Sequence, residues 1–178
     1  MANEEAIIKH IFYLLVENRS GVLARVAGLF SARGYNIASL TVAETENPRV
    51  SRMTIVVPGD SRILDQVRKQ LGKLIDVHEV HDFSMETRDI INRELVLVKV
   101  RADAERRIDV VQVANIFRAH VADVSVDSLV IEATGSEGKI TGLLKLLEPY
   151  GIIEVARGGR VAMARGLQED TPAFQAIV

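Results

Sequence analysis

The chain contains no cysteine. That removes disulfides, thiolate catalysis, cysteine-type zinc sites and iron–sulfur clusters together. It contains no tryptophan and is only 4% aromatic, and its strand-like runs lack the paired exposed aromatics on which an RNA-binding sheet stacks bases. A net charge of -2 argues against a general nucleic-acid binder. No apolar run approaches the length needed to span a bilayer, so no membrane association is expected. Met1 to Glu5 is acidic and lacks the basic and apolar regions of a targeting peptide, which makes the cytoplasm the expected location. The four histidines are His10, His78, His81 and His120. His78 and His81 share neither a helix face nor a strand face, so they read as surface or edge residues and not as a metal site. There is no glycine-rich phosphate loop and no acidic metal cluster, so no metal and no cofactor is expected in this chain.

What is present is a fold with a rhythm. Of the 178 residues, 48% are apolar, enough for one domain or two small ones. His10 to Glu17 is a nearly continuous apolar strand. Val22, Leu23, Val26, Leu29 and Phe30 follow helical spacing, and Ile37 to Ala43 alternates as a strand. Glu46 to Arg49 is a turn. Ser51 to Pro58 is a strand, and Ile63, Leu64, Val67, Leu71 and Leu74 form the stripe of a second helix. Val77 to Phe83 closes the half.

The second half repeats the order. Glu94 to Val100 is a strand, Ile108 to His120 a helix, and Ala122 to Val126 with Ser128 to Thr134 a strand pair. A helix carrying Ile140, Leu143, Leu144 and Leu147 follows, then a strand from Ile152 to Ala156. Gly158 and Gly159 read as turn residues before a short strand, Val161 to Ala164. The fold class is therefore α+β, two ferredoxin-like βαββαβ domains. The expected domains are 8–84 and 92–166, joined by the polar segment Ser84 to Asn92, with 167–178 as a mobile tail. A sheet with helices on one side needs cover on the other, and a second copy of the chain meets that need.

The stretch Glu17-Asn18-Arg19-Ser20-Gly21-Val22-Leu23 joins the first strand to the first helix. Ser20 is the expected helix cap, and Gly21 leaves the backbone open beside it. Unpaired N–H groups at a helix start suit a small anion such as an amino-acid carboxylate. Asn18 and Asn36 add amides that can donate and accept without adding charge. The competing reading is that Ser20-Gly21 only caps the helix and Gly34-Tyr35-Asn36 only stops it. Arg19 and Arg25, and the basic stretch Arg101 to Arg107, read as solvated surface.

The run Leu15 to Ile37 resembles an ACT domain. Two motifs narrow the resemblance: Gly34-Tyr35-Asn36-Ile37 leading into Ser39-Leu40-Thr41-Val42, and Ser51-Arg52-Met53-Thr54-Ile55. With Arg93 to Val100, Gly135, Gly138-Lys139 and Ile153 to Gly159, they are similar to the small regulatory subunit of acetolactate synthase, also called acetohydroxyacid synthase. The resemblance implies a chain without an active site. It implies a homodimer through the ACT domains that binds and activates a catalytic subunit. It also implies feedback inhibition by a branched-chain amino acid, with valine the expected effector. Thiamine diphosphate, magnesium and FAD would belong to the catalytic partner.

The effector site implied lies between two ACT domains. Asn18, Ser20, Gly21, Val22, Leu23, Asn36 and Ile37 are its candidate residues here, with the N–H groups of Ser20 to Val22 receiving the carboxylate. Leu23, by its spacing, reads as core as readily as pocket wall. Two other functions compete. A stand-alone amino-acid sensor on the same scaffold fits, but one controlling transcription would need a DNA-reading module that the sequence does not show. A small enzyme would need a convergent polar constellation, and the richest cluster is one turn with two amides.

Overall fold

The computed structural model describes residues 8–83 and 90–166. Most of the expected linker, residues 84–89, and the expected tail, 167–178, lie outside the described residues. The chain divides between Ile91 and Asn92, and residues 162–166 return to the first unit.

The first unit runs β1 (Ile8–Glu17), α1 (Val22–Ser31), β2 (Ser39–Glu44), β3 (Val50–Gly59), α2 (Ser61–Leu71) and β4 (Val77–Asp82). The strands form one antiparallel sheet in the order β2-β3-β1-β4. Strand alternation turns Phe12, Leu14 and Val16 of β1 and Met53, Ile55 and Val57 of β3 to the helix side. There they enclose Val22, Val26 and Phe30 of α1 with Leu64, Val67 and Leu71 of α2. Each such side chain stabilises the fold by about 1.5–3 kcal/mol when fully buried. Helix α1 stops at Gly34, which takes φ +72 while its own N–H and that of Tyr35 return to Ser31 and Phe30 carbonyls.

The opposite sheet face has its own cover. Ile11, Val56, Phe83 and Ala162 form a second small core, with Tyr13, Ile90 and Ala164 packed on it. The expectation that a second copy covers this face is corrected to that extent, because the chain's own returning segment occupies part of it. The Tyr13 ring stacks on His81 and Phe83 at 5.4 and 5.8 Å. The Arg52 guanidinium lies 4.0 Å above Tyr13 and donates to the Ala162 carbonyl at 2.6 Å. Burial pushes the Tyr13 hydroxyl pKa up, against the opposing pull of Arg52. Strand β3 is thus buried on both faces, which explains why Ser51 to Pro58 shows so little polar alternation.

The second unit repeats the topology: β5 (Ile90–Arg101), α3 (Arg107–Ile116), β6 (His120–Val124), β7 (Ser128–Gly135), α4 (Glu137–Leu147) and β8 (Ile152–Ala164). Its sheet order is β6-β7-β5-β8. Val96, Val98, Val100, Leu129, Ile131 and Ala133 pack under Val110, Ala114, Ile140, Leu143 and Leu147. The expected α+β pair of βαββαβ units is what the chain forms.

Several details differ from the sequence reading. Strand β5 begins at Ile90, inside the expected linker. Helix α3 ends four residues before His120. Arg118 takes φ +51, and the N–H groups of Arg118 and Ala119 return to the Asn115 and Ala114 carbonyls, a Schellman closure built without glycine. Arg107 does not lie in a solvated loop. It opens α3 and donates to the carbonyls of Ala102, Ser125 and Val126 at 3.2, 2.8 and 2.6 Å. The two strands expected around Gly158-Gly159 are one strand of 13 residues, with Gly159 at φ +76 inside it. A left-handed glycine in a strand is a bulge signature, not only a turn signature.

Candidate functional site

Strand β1 delivers the chain to the helix through Glu17 to Gly21. Gly21 is the N-cap of α1, at φ +85 and ψ -12, and no side chain caps that end. The expectation that Ser20 caps the helix is therefore corrected. A left-handed Gly21 carries the chain round the corner by backbone conformation, leaving Ser20 exposed with no capping bond. The Val22 N–H points to the Arg19 carbonyl at 3.4 Å. This takes the Val22 N–H out of the expected donor set of Ser20 to Val22, and the N–H groups of Leu23 and Ala24 are the first-turn groups without an intrahelical acceptor.

Val22 itself is core, and Leu23, whose spacing suggested core, is 43% exposed beside the turn. Asn18 is committed more than its sequence position implied. Its Nδ2 donates to Glu44 Oε1 at 2.9 Å and to the Pro48 carbonyl at 2.8 Å, and its backbone N–H donates to the Arg49 carbonyl. It braces the β2–β3 hairpin against the turn.

Charge at the turn comes from residues first read as solvated surface. Arg19 and Arg25 converge on Asp76, whose side chain is only 5% exposed. Arg19 gives Asp76 Oδ1 both Nε, at 3.0 Å, and Nη2. Arg25 donates its Nε to Oδ2 at 2.8 Å, with Nη2 in ion-pair contact with the same oxygen at 2.6 Å. The Asp76 carbonyl accepts the Glu17 N–H at 2.8 Å. The hydrogen bond from Arg19 is the leading cause that holds the Asp76 carboxyl below its usual range, with Arg25 adding to it against the cost of burial. Two guanidiniums on one carboxylate leave a net charge of about +1 beside the positive end of the α1 dipole. The sequence signal was present, since Arg19 and Arg25 lie six residues apart across a turn, but their partner is 51 residues beyond Arg25.

Asn36 and Ile37 lie elsewhere. They precede β2, where Ala38 and Ser39 meet Val56 of β3. The Gly21 turn lies at the other end of β3, where Val50 meets Glu17. Six strand steps separate those two points, roughly 20 Å. Asn36 is exposed, and Ile37 is half-buried against the helix-side core. One chain therefore splits the candidate residues into two groups at opposite sheet ends, Asn18 to Leu23 and Asn36-Ile37.

Among the described residues, no group of three or more histidine, aspartate or glutamate side chains is placed to hold a metal ion. No helix among them is long and apolar enough to cross a membrane.

Two βαββαβ units in series, the first with an open glycine turn at its helix start, define an ACT-domain protein. Residues 12–79 match the family model for the AHAS small subunit-like ACT domain, and residues 93–166 match that for the small subunit of acetolactate synthase. The chain belongs to the acetolactate synthase small-subunit family. It is 52% identical over 159 residues to the probable acetolactate synthase small subunit of Archaeoglobus fulgidus, covering 89% of this chain and 98% of that one. It is 50% identical over 157 residues to the acetolactate synthase small subunit of Mycobacterium bovis, covering 88% and 92%. The crystal structure of the acetolactate synthase small subunit from Thermotoga maritima superposes with a TM-score of 0.83 at 40% identity, covering 91% of this chain and 100% of that one.

Proposed function

We propose that this chain is the regulatory, non-catalytic subunit of a cytoplasmic acetolactate synthase. It binds and activates the catalytic subunit and makes it sensitive to a branched-chain amino acid, valine above leucine or isoleucine. Thiamine diphosphate, magnesium and FAD serve the catalytic partner. Family membership supports the role. The observation that carries the effector site is the split of its candidate residues between the two ends of one sheet. A two-fold pairing of ACT units brings the Gly21 turn of one copy to the Asn36-Ile37 end of its partner, so a complete site takes one group from each chain. The effector's carboxylate then meets the first-turn N–H groups of α1, Asn36 supplies the polar contact from across the dimer, and Leu23 with Ile37 walls an aliphatic side chain.

The test mixes purified chain with its catalytic subunit and follows acetolactate formed from pyruvate, with thiamine diphosphate, magnesium and FAD present. The chain alone forms none, raises the partner's turnover, and lowers it again when valine is added. Sedimentation at micromolar concentration gives a dimer. Turnover by the chain alone refutes the non-catalytic role, and a strict monomer refutes the shared site. Valine binding with no effect on the catalytic subunit would favour the second reading, a stand-alone ACT sensor.

A further inference from the structure

The Arg25 side chain starts on the second turn's side of α1 and reaches back to the helix start. Its Nε donates to Asp76 Oδ2 at 2.8 Å, and its Nη2 lies in ion-pair contact with the same oxygen at 2.6 Å. Its Nη1 lies beside Gly21 instead. A Cβ built on Gly21 would lie 3.1 Å from that nitrogen, so Nη1 packs over the glycine, in the space a side chain there would need. One hydrogen bond and one ion-pair contact to a single carboxylate oxygen hold the guanidinium tip beside Asp76 while leaving it able to pivot. Asp76 in turn stays charged when an anion draws on Arg25, because Arg19 independently holds its other oxygen. Arg25 is 49% exposed, so a ligand can reach it.

We propose that Arg25 is the carboxylate-recognising side chain of the effector site, and that Asp76 is the positioning residue that holds its Nη1 over Gly21. The ligand class is a small amino acid with a free α-carboxylate. This rests on the effector reading above and deepens it: the first-turn N–H groups supply direction, and Arg25 supplies the full charge. Arg19 satisfies Asp76 and does not touch the ligand.

The test is calorimetric titration of the full chain with L-valine, for the wild type, Arg25→Gln, Arg25→Lys and Asp76→Asn, with a melting curve for each. A hydrogen bond to a charged group implies about a tenfold or greater loss of affinity in Arg25→Gln. Arg25→Lys keeps the charge without the fork and falls between. Asp76→Asn loosens Arg25 without deleting it, so its loss is smaller than that of Arg25→Gln. Valine affinity in Arg25→Gln within twofold of the wild type overturns the proposal. So does the reverse order, with Asp76→Asn weaker than Arg25→Gln, which is what a purely structural cluster gives. A wild-type chain that binds no branched-chain amino acid refutes the effector reading itself, a result separate from either.

Discussion

Replacing Gly21 by aspartate tests the turn most severely. Gly21 holds φ +85, a conformation that costs an ordinary L-residue about 1–2 kcal/mol and aspartate somewhat less. The new Cβ would sit 3.1 Å from Arg25 Nη1, the far end of a flexible side chain that can yield by a few tenths of an ångström. A domain stability of about 5–15 kcal/mol absorbs both, so the variant folds. The ligand is affected more. The introduced carboxylate faces the guanidinium and the helix end that a valine carboxylate would use. Two like charges at about 4 Å repel by about 1 kcal/mol in water and about 4 kcal/mol at the effective dielectric of a partly buried site. Converted at 1.4 kcal/mol per tenfold, valine inhibition weakens by about fivefold to several hundredfold. Gly21→Ala carries the same backbone strain without the charge and serves as the control. Inhibition is read against each variant's own uninhibited rate with the catalytic subunit, and folding from a melting curve. Unchanged valine inhibition in Gly21→Asp would place the site elsewhere. Equal losses in Gly21→Asp and Gly21→Ala would mean that turn geometry, and not carboxylate recognition, is what the substitution disturbs.

Asn36→Ala removes one neutral polar contact, about 0.5–1.5 kcal/mol, so valine inhibition weakens by about two- to tenfold, less than in Gly21→Asp; a larger loss than Gly21→Asp would reverse the ranking of the two groups. Acid unfolding reports on Asp76. Its carboxyl pKa is lowered in the fold, so its contribution is fully present above the ordinary carboxylate pKa of about 3.9 and fades as pH falls through the lower folded value. Asp76→Asn is therefore less stable than the wild type at pH 7, and the gap narrows in urea titrations taken below about pH 4. A gap that stays constant with pH would mean that Asp76 acts by packing alone. In the core, Phe30→Ala deletes a fully buried ring between β1 and the helices and costs about 3–5 kcal/mol by urea titration; a loss under 1 kcal/mol would contradict the packing described.

The order of strands and helices was legible in the sequence because apolar spacing is a local property. Period 2 in Phe12, Leu14 and Val16 and period 3.6 in Val22, Val26 and Phe30 each state which face must be buried, and both units follow. The family was legible for the same reason, since its motifs are contiguous runs. Gly34 as a helix stop was equally local. Tertiary structure decided what depends on partners distant in sequence. Arg19 and Arg25 look solvated until the chain brings Asp76 to them. Arg52 acquires its role from Tyr13 and the Ala162 carbonyl, and Asn18 from Glu44 and Pro48. Ser20 was a sound expectation for a cap by residue type, but a helix start needs only one device, and left-handed Gly21 supplied it. The separation of Asn36 from Gly21 is likewise a matter of sheet register. Antiparallel pairing sends the two ends of α1 to opposite ends of the sheet, so residues that flank one helix in sequence lie roughly 20 Å apart in the folded chain.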